Sequence, residues 1–149
     1  MNGALNLVFV DTSVLLYEVD GADPAKQLTC RRWLEALWRE GTARVSWQVL
    51  NEFYVNATRK TGTSAATSRR LVEAYVQWKP ADFSLPLLQR AWYWSDVGGI
   101  SFWDALILAA AERSGCRWLL SEDFSHGRKY GSVQVVNPFN GDPNKCLAI

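Results

Sequence analysis

The sequence predicts an α/β domain, a short and mostly parallel β-sheet flanked by helices. Three observations carry that reading. The run Leu7-Val8-Phe9-Val10 is too rich in β-branched and aromatic residues to favour a helix, and it ends on Asp11-Thr12-Ser13. Short strand-like runs alternate with helical patterns along the chain, which is how parallel sheets are built. Wound as a helix, Ser101 to Ala111 is apolar nearly all round, the mark of a buried central helix.

In order, Thr12 to Glu18 reads as a short helix running into the polar loop Asp20-Gly21-Ala22-Asp23. Asp23 then Pro24 is a capping side chain followed by proline at the first helical position. That helix carries Leu28, Trp33, Leu34, Leu37 and Trp38 at helical spacing and stops at Gly41, with Arg31, Arg32, Arg39 and Glu40 on a solvated side. Ala43 to Ser46 is a second strand. Ser46 caps a third helix with Val49, Leu50, Phe53, Tyr54 and Ala57 on one face and Glu52 at its flank. Thr61-Gly62-Thr63-Ser64 turns into a helix from Ala65 to Trp78, ended by Pro80. Asp82-Phe83-Ser84 is extended and leads through Pro86 to the aromatic helix Leu87 to Asp96, closed by Gly98-Gly99. After the buried helix, Gly115 stops and Arg117 to Ser121 runs as a strand straight into Glu122-Asp123. Ser125 to Gly131 is a polar loop, Val133 to Val136 the last strand, and the chain from 140 to 149 an irregular tail. Residues 1–149 form one domain, without internal repeat or linker.

The bulk composition narrows the function. Apolar residues are 48% and charged residues 21% of 149, a globular and not a disordered balance. With 16 Lys+Arg against 15 Asp+Glu the net charge is +1, so any nucleic-acid binding rests on a local patch. Three scattered cysteines, Cys30, Cys116 and Cys146, offer no zinc or redox pair and no disulfide framework, which fits a reducing, cytoplasmic setting. The N-terminus lacks a basic n-region, and no apolar run is long enough to span a bilayer, so neither a signal peptide nor a membrane anchor is expected. Eight tryptophans predict core or interface burial.

The chemistry lies with the acids. Ligands of open α/β sheets bind outside the carboxyl ends of the strands, and Asp11 and Asp123 both fall there, on one sheet edge. Taken alone, Asp11 is an N-cap for the helix that follows. Asp104 lies three residues after Ser101, a capping spacing, yet Leu108 and Ala111 continue its side of the helix. Cap and ligand stay open for it. Glu52 and Glu122 read alone as solvated residues. Together, carboxylates on one edge repel, and a hard divalent cation relieves them; Mg²⁺ or Mn²⁺ takes oxygen ligands and keeps waters for substrate. His126 is the only histidine, which argues against zinc.

At this point the chain resembles the PIN-domain family, and within it the VapC-type toxins of bacterial toxin–antitoxin pairs. The resemblance rests on Val10-Asp11-Thr12-Ser13, Asn51-Glu52-Phe53, Phe102-Trp103-Asp104-Ala105, Leu120-Ser121-Glu122-Asp123-Phe124 and Val136-Asn137-Pro138-Phe139, in that order. It implies a three-layer PIN-like fold in which Asp11, Glu52, Asp104 and Asp123 gather around one or two Mg²⁺ or Mn²⁺ ions. Ser13 and Ser121 fall where the family often has a hydroxyl beside the acids. Glu122 adjoins Asp123, and the family's spacing after the serine favours Asp123 as the one inside. The implied reaction is hydrolysis of RNA phosphodiesters by an activated water, the implied partners a cognate antitoxin and a second copy in a homodimer. An acidic site needs cations around it to hold RNA, and the candidates are Arg59, Lys60, Arg69, Arg70, Arg128 and Lys129; Trp47 and Trp92-Tyr93-Trp94 read first as core or dimer surface and second as stacking surfaces for bases.

Two other classes fit less well. A Mg²⁺-dependent phosphatase of the haloacid-dehalogenase kind wants a second Asp two residues after the first, where Ser13 stands, and a phosphoreceiver wants its adjacent acids near the first strand, whereas Glu122-Asp123 comes late. A binding module that holds RNA or protein and cleaves nothing is the remaining alternative.

Overall fold

Strand β1 (Val8–Val10) is buried on both sides: its three residues alternate between the faces of the sheet, and all are 0% exposed. Helices must therefore cover both faces, giving three layers. The computed structural model describes residues 6–147. The absence of a signal peptide concerns the first residues and falls outside them.

Helix α1 (Thr12–Leu16) follows β1 at once, and α2 (Pro24–Glu40) is capped by the Asp23 side chain on the Lys26 amide and ended by Gly41 at φ 68°. β2 (Ala43–Arg44) precedes α3 (Trp47–Arg59), which Ser46 caps through the Val49 amide. α4 (Ala65–Tyr75) tightens into a 3₁₀ turn at Val76–Trp78, and α5 (Leu85–Gly98) carries Pro86 in its first turn. α6 (Phe102–Arg113) is buried continuously from Ala105 to Ala111, as its unbroken apolar surface requires. It packs on α5 and against the sheet. Arg90 and the Trp94 indole N–H, both on α5, converge on Glu112 of α6, Arg90 with two 2.9 Å bonds.

The sheet is completed by β3 (Trp118–Leu120), β4 (Lys129–Tyr130) and β5 (Val133–Val136), in the order β2-β1-β3-β5-β4. All pairings are parallel except β4 with β5. The register sets Val10 beside Leu120 and Leu120 beside Val136, so β1, β3 and β5 end level. Asp11, Ser121 and Asn137 thus leave one edge side by side.

Two expectations are corrected. Within the tail expected to be irregular, Pro143–Leu147 forms a helix, α7, which packs on α2; Cys146 and Leu147 are buried there. Residues 148–149 lie outside the described region. Within the expected polar loop, Lys129–Tyr130 pairs with β5 as an antiparallel edge strand, because the Tyr130 ring is buried against Trp94 and Phe124. Among the described residues no helix is long and apolar enough to cross a membrane.

Candidate active site

At the level ends of β1 and β3 a cleft of about 230 Å³ opens between α1, α3 and α6. Asp11, Glu52, Asp104 and Asp123 all line it, although they come from four separate parts of the chain.

Asp11 is the buried one, 5% exposed. It is cap and cleft residue at once: Oδ1 accepts the Thr12 amide at 2.8 Å, and Oδ2 accepts the Ser121 hydroxyl at 2.7 Å. The Ser121 hydroxyl also accepts the Asp123 amide at 3.0 Å, so one buried serine sets the position of both aspartates. Asp104 resolves similarly. Ser101 caps α6 through the Asp104 amide at 3.1 Å, and the aspartate side chain lines the cleft from the first helical turn. Glu52 stands on α3, facing α1, where the Thr12 hydroxyl approaches its Oε1 at 3.4 Å.

Electrostatics mark the cleft as strained in charge. Burial pushes the Asp11 carboxyl up to about 7, with Asp123 and Glu52 adding repulsion and the Ser121 and Thr12 hydrogen bonds opposing it. Burial also raises Glu52, with Asp104 and Asp123 contributing and the Gln48 and Thr12 side chains tempering it. Asp123 is raised by burial, then by Glu122 and Asp104. The ion pairs among the described residues, Lys26–Glu122, Arg31–Glu18, Arg39–Glu40 and Arg90–Glu112, involve none of the four. A hard cation fits this donor set: four carboxylates against the single lysine Lys60 in the lining, none of them in an ion pair, and beside them the Ser13 hydroxyl, buried without a partner. Among the described residues no three such groups stand close enough together to hold an ion as they are placed.

Glu122 lies elsewhere. Its Oε1 accepts the Tyr17 hydroxyl at 2.9 Å, and Lys26 stands 3.7 Å from its Oε2. Of the six basic candidates, Lys60 lines the cleft. Arg69 is bonded to the Tyr54 hydroxyl at 3.3 Å, Arg70 to Thr67, and Arg128 to the Gly98 carbonyl at 2.8 Å, with its guanidinium over the Tyr130 ring. Arg59 and Lys129 are exposed outside the cleft. His126 accepts the Asn137 amide on Nδ1 at 3.0 Å, a local loop bond.

The sequence reading did not single out Gln48, Asn56 and Trp103 as cleft residues. A signal for the first two existed. Gln48, Glu52, Asn56 and Lys60 recur every four residues, one polar stripe along α3 and its cap.

The comparisons with known proteins agree with this architecture. A family model described as PIN domain matches residues 8–131. Among solved structures, VapC20 of Mycobacterium tuberculosis, a sarcin-ricin loop cleaving toxin, superposes with a TM-score of 0.60 at 25% identity, covering 75% of this chain and 86% of that one. A toxin–antitoxin complex from Klebsiella pneumoniae superposes with a TM-score of 0.64 at 18% identity, covering 88% of this chain and 97% of that one. No curated protein sequence matches the chain.

Proposed function

The chain belongs to the PIN-domain family, and from that premise we propose that it is a Mg²⁺- or Mn²⁺-dependent endoribonuclease, the toxin of a toxin–antitoxin pair. The observation that carries the reading is the cleft itself, where four carboxylates from distant parts of the chain gather with only Lys60 as a cation in the lining. The likeness to VapC20, a sarcin-ricin loop cleaving toxin, supports the substrate class.

In this reading Asp11, Glu52, Asp104 and Asp123 hold one or two ions. An ion bound there would supply Lewis acidity for water activation and would offset charge on the phosphate. The rest is the work of this chain. Ser121 and the Thr12 amide fix both oxygens of Asp11, which leaves the carboxylate little freedom to turn away. Ser121 also anchors the Asp123 backbone, and Ser101 anchors that of Asp104, so both side chains start from rigid positions. Lys60 meets a phosphate at the rim. Glu122 serves the scaffold through Tyr17 and Lys26.

The partner reading is a cognate antitoxin, supported by the likeness to a toxin–antitoxin complex, together with a homodimer. Leu85, Trp92 and Val97 leave apolar surface exposed on α5, which supports association.

The test is incubation of purified protein with total cellular RNA and Mg²⁺ or Mn²⁺, followed by mapping of new RNA ends, with Asp104→Asn protein and a chelated sample alongside. Discrete ends that vanish in both controls are expected. Their absence with well-folded protein would leave a binding module.

A further inference from the structure

We infer that Trp103 is a base-stacking residue, seating one unpaired nucleobase of the RNA at the rim of the acidic cleft beside the phosphate to be cut. The inference rests on the nuclease reading above and adds to it the kind of RNA the site takes. Trp103 is 64% exposed, the highest value among the large apolar side chains of the described residues, and it lines the same cleft as Asp11 and its own neighbour Asp104. An indole left in water forgoes burial that tryptophan ordinarily finds.

The backbone that carries the indole is held. It opens the first turn of α6, whose start is fixed by the Ser101 cap. Phe102, half-buried against the core, meets the indole edge-on with ring centroids 5.4 Å apart. Across the cleft, the Gln48 amide of α3 approaches the Trp103 carbonyl at 3.5 Å. A large aromatic surface carried on an anchored helical turn is placed for a flat ligand, because the backbone beneath it need not be ordered on binding.

Charge decides what that ligand is. Four carboxylates line the cleft, and Lys60 is the one cation among its lining residues. Beyond the ions that the carboxylates would hold, the cleft's own side chains offer phosphate one contact, Lys60, so little of the usual nucleic-acid affinity comes from the protein here. Stacking on an aromatic side chain supplies affinity through the π-face of a base and does not depend on charge. Bases paired in a duplex are not free for it, so the substrate is an unpaired stretch, whether loop, bulge or single strand.

The test uses the full chain with Mg²⁺, a short synthetic RNA spanning the mapped cut site, and copies with one abasic nucleotide on either side of it. Trp103→Ala is expected to raise KM roughly 5- to 150-fold with kcat little changed, and Trp103→Phe to recover most of the loss. One abasic position should weaken the wild type by a similar factor and weaken Trp103→Ala no further. A wild-type KM for Trp103→Ala, a full abasic penalty in that variant, or a kcat loss shared by Trp103→Phe would each overturn the inference and leave the nuclease reading standing. A wild type that cuts no RNA would overturn the nuclease reading and this inference with it. Because the indole is mostly in water, both variants should keep the wild-type circular dichroism and Tm.

Discussion

The Ser121 hydroxyl donates a 2.7 Å hydrogen bond to Asp11 Oδ2, and both residues are withdrawn from water, Ser121 at 0% exposure. The bond joins the ends of β1 and β3 and holds the least accessible carboxylate of the cleft. Removing it should be felt at the ion before it is felt in the fold. Ser121→Ala is expected to weaken Mg²⁺ or Mn²⁺ binding about 10- to 100-fold, as loss of an orienting partner typically does. The fold itself should lose about 1 kcal/mol. Calorimetric titration of the metal into wild type and variant checks this; equal affinities would remove Ser121 from the site.

The carboxyl of Asp11 sits at about 7 in the folded chain, raised mainly by burial, and falls to the ordinary range of about 4 when the chain unfolds. The folded state therefore holds a proton that the unfolded state releases. The stability so conferred is complete below about pH 4 and is lost as pH rises through 7. Metal-free protein should melt at progressively lower temperature between pH 5 and pH 8, and added Mg²⁺ should raise Tm more at pH 8 than at pH 5. Asp11→Asn should flatten the slope and abolish cleavage. Thermal melts across pH, with and without MgCl₂, decide the matter; a slope unchanged by Asp11→Asn would place its source elsewhere.

Adjacent acids should behave oppositely. Glu122→Gln loses charge against Lys26 and weakens the Tyr17 contact, so Tm should fall by about 2–4 °C while cleavage persists. Asp123→Asn should hold its Tm and lose cleavage. Paired melting and RNA-cleavage assays test the contrast, and activity lost in Glu122→Gln would reverse the assignment.

Lys60 and Arg128 make a second contrast. Lys60→Ala should raise KM and lower the salt dependence of RNA binding by about 0.7 in the log–log slope, the value for one phosphate contact on a single strand. Arg128→Ala should leave that slope alone and lower Tm, since its guanidinium is bonded to the Gly98 carbonyl and lies over Tyr130. Filter binding at several salt concentrations separates the two.

What the sequence made legible was whatever local pattern controls. The strand ending at Asp11 and the all-apolar helix after Ser101 announce themselves through side-chain type and spacing. The five-residue helix α7 does not, because so short a segment owes its form to packing on α2 and not to propensity. The two-residue strand β4 is hidden for the same reason; a buried Tyr130 ring decides it. Which of Glu122 and Asp123 faces the cleft depends on Tyr17, 105 positions away. In the run around the pair only the spacing after Ser121, read through the family resemblance, points to Asp123. Trp103 reads in sequence as one more apolar residue opening a buried helix, and only the fold brings it to the cleft.

The strand order β2-β1-β3-β5-β4 also has a meaning in time. The strand that sits in the middle of the sheet is made late, and Asp11 waits 110 positions for Ser121. While the chain is still being synthesised, its first half presents one edge of β1 without its neighbour and one carboxylate without its companions. A ribosome that has released only the first hundred or so residues carries no assembled site, whatever helices have formed. The acids come together only when β3 slides into place. Chains cut short before that strand therefore lack the Ser121 bond that holds Asp11, and the four acids do not assemble in them.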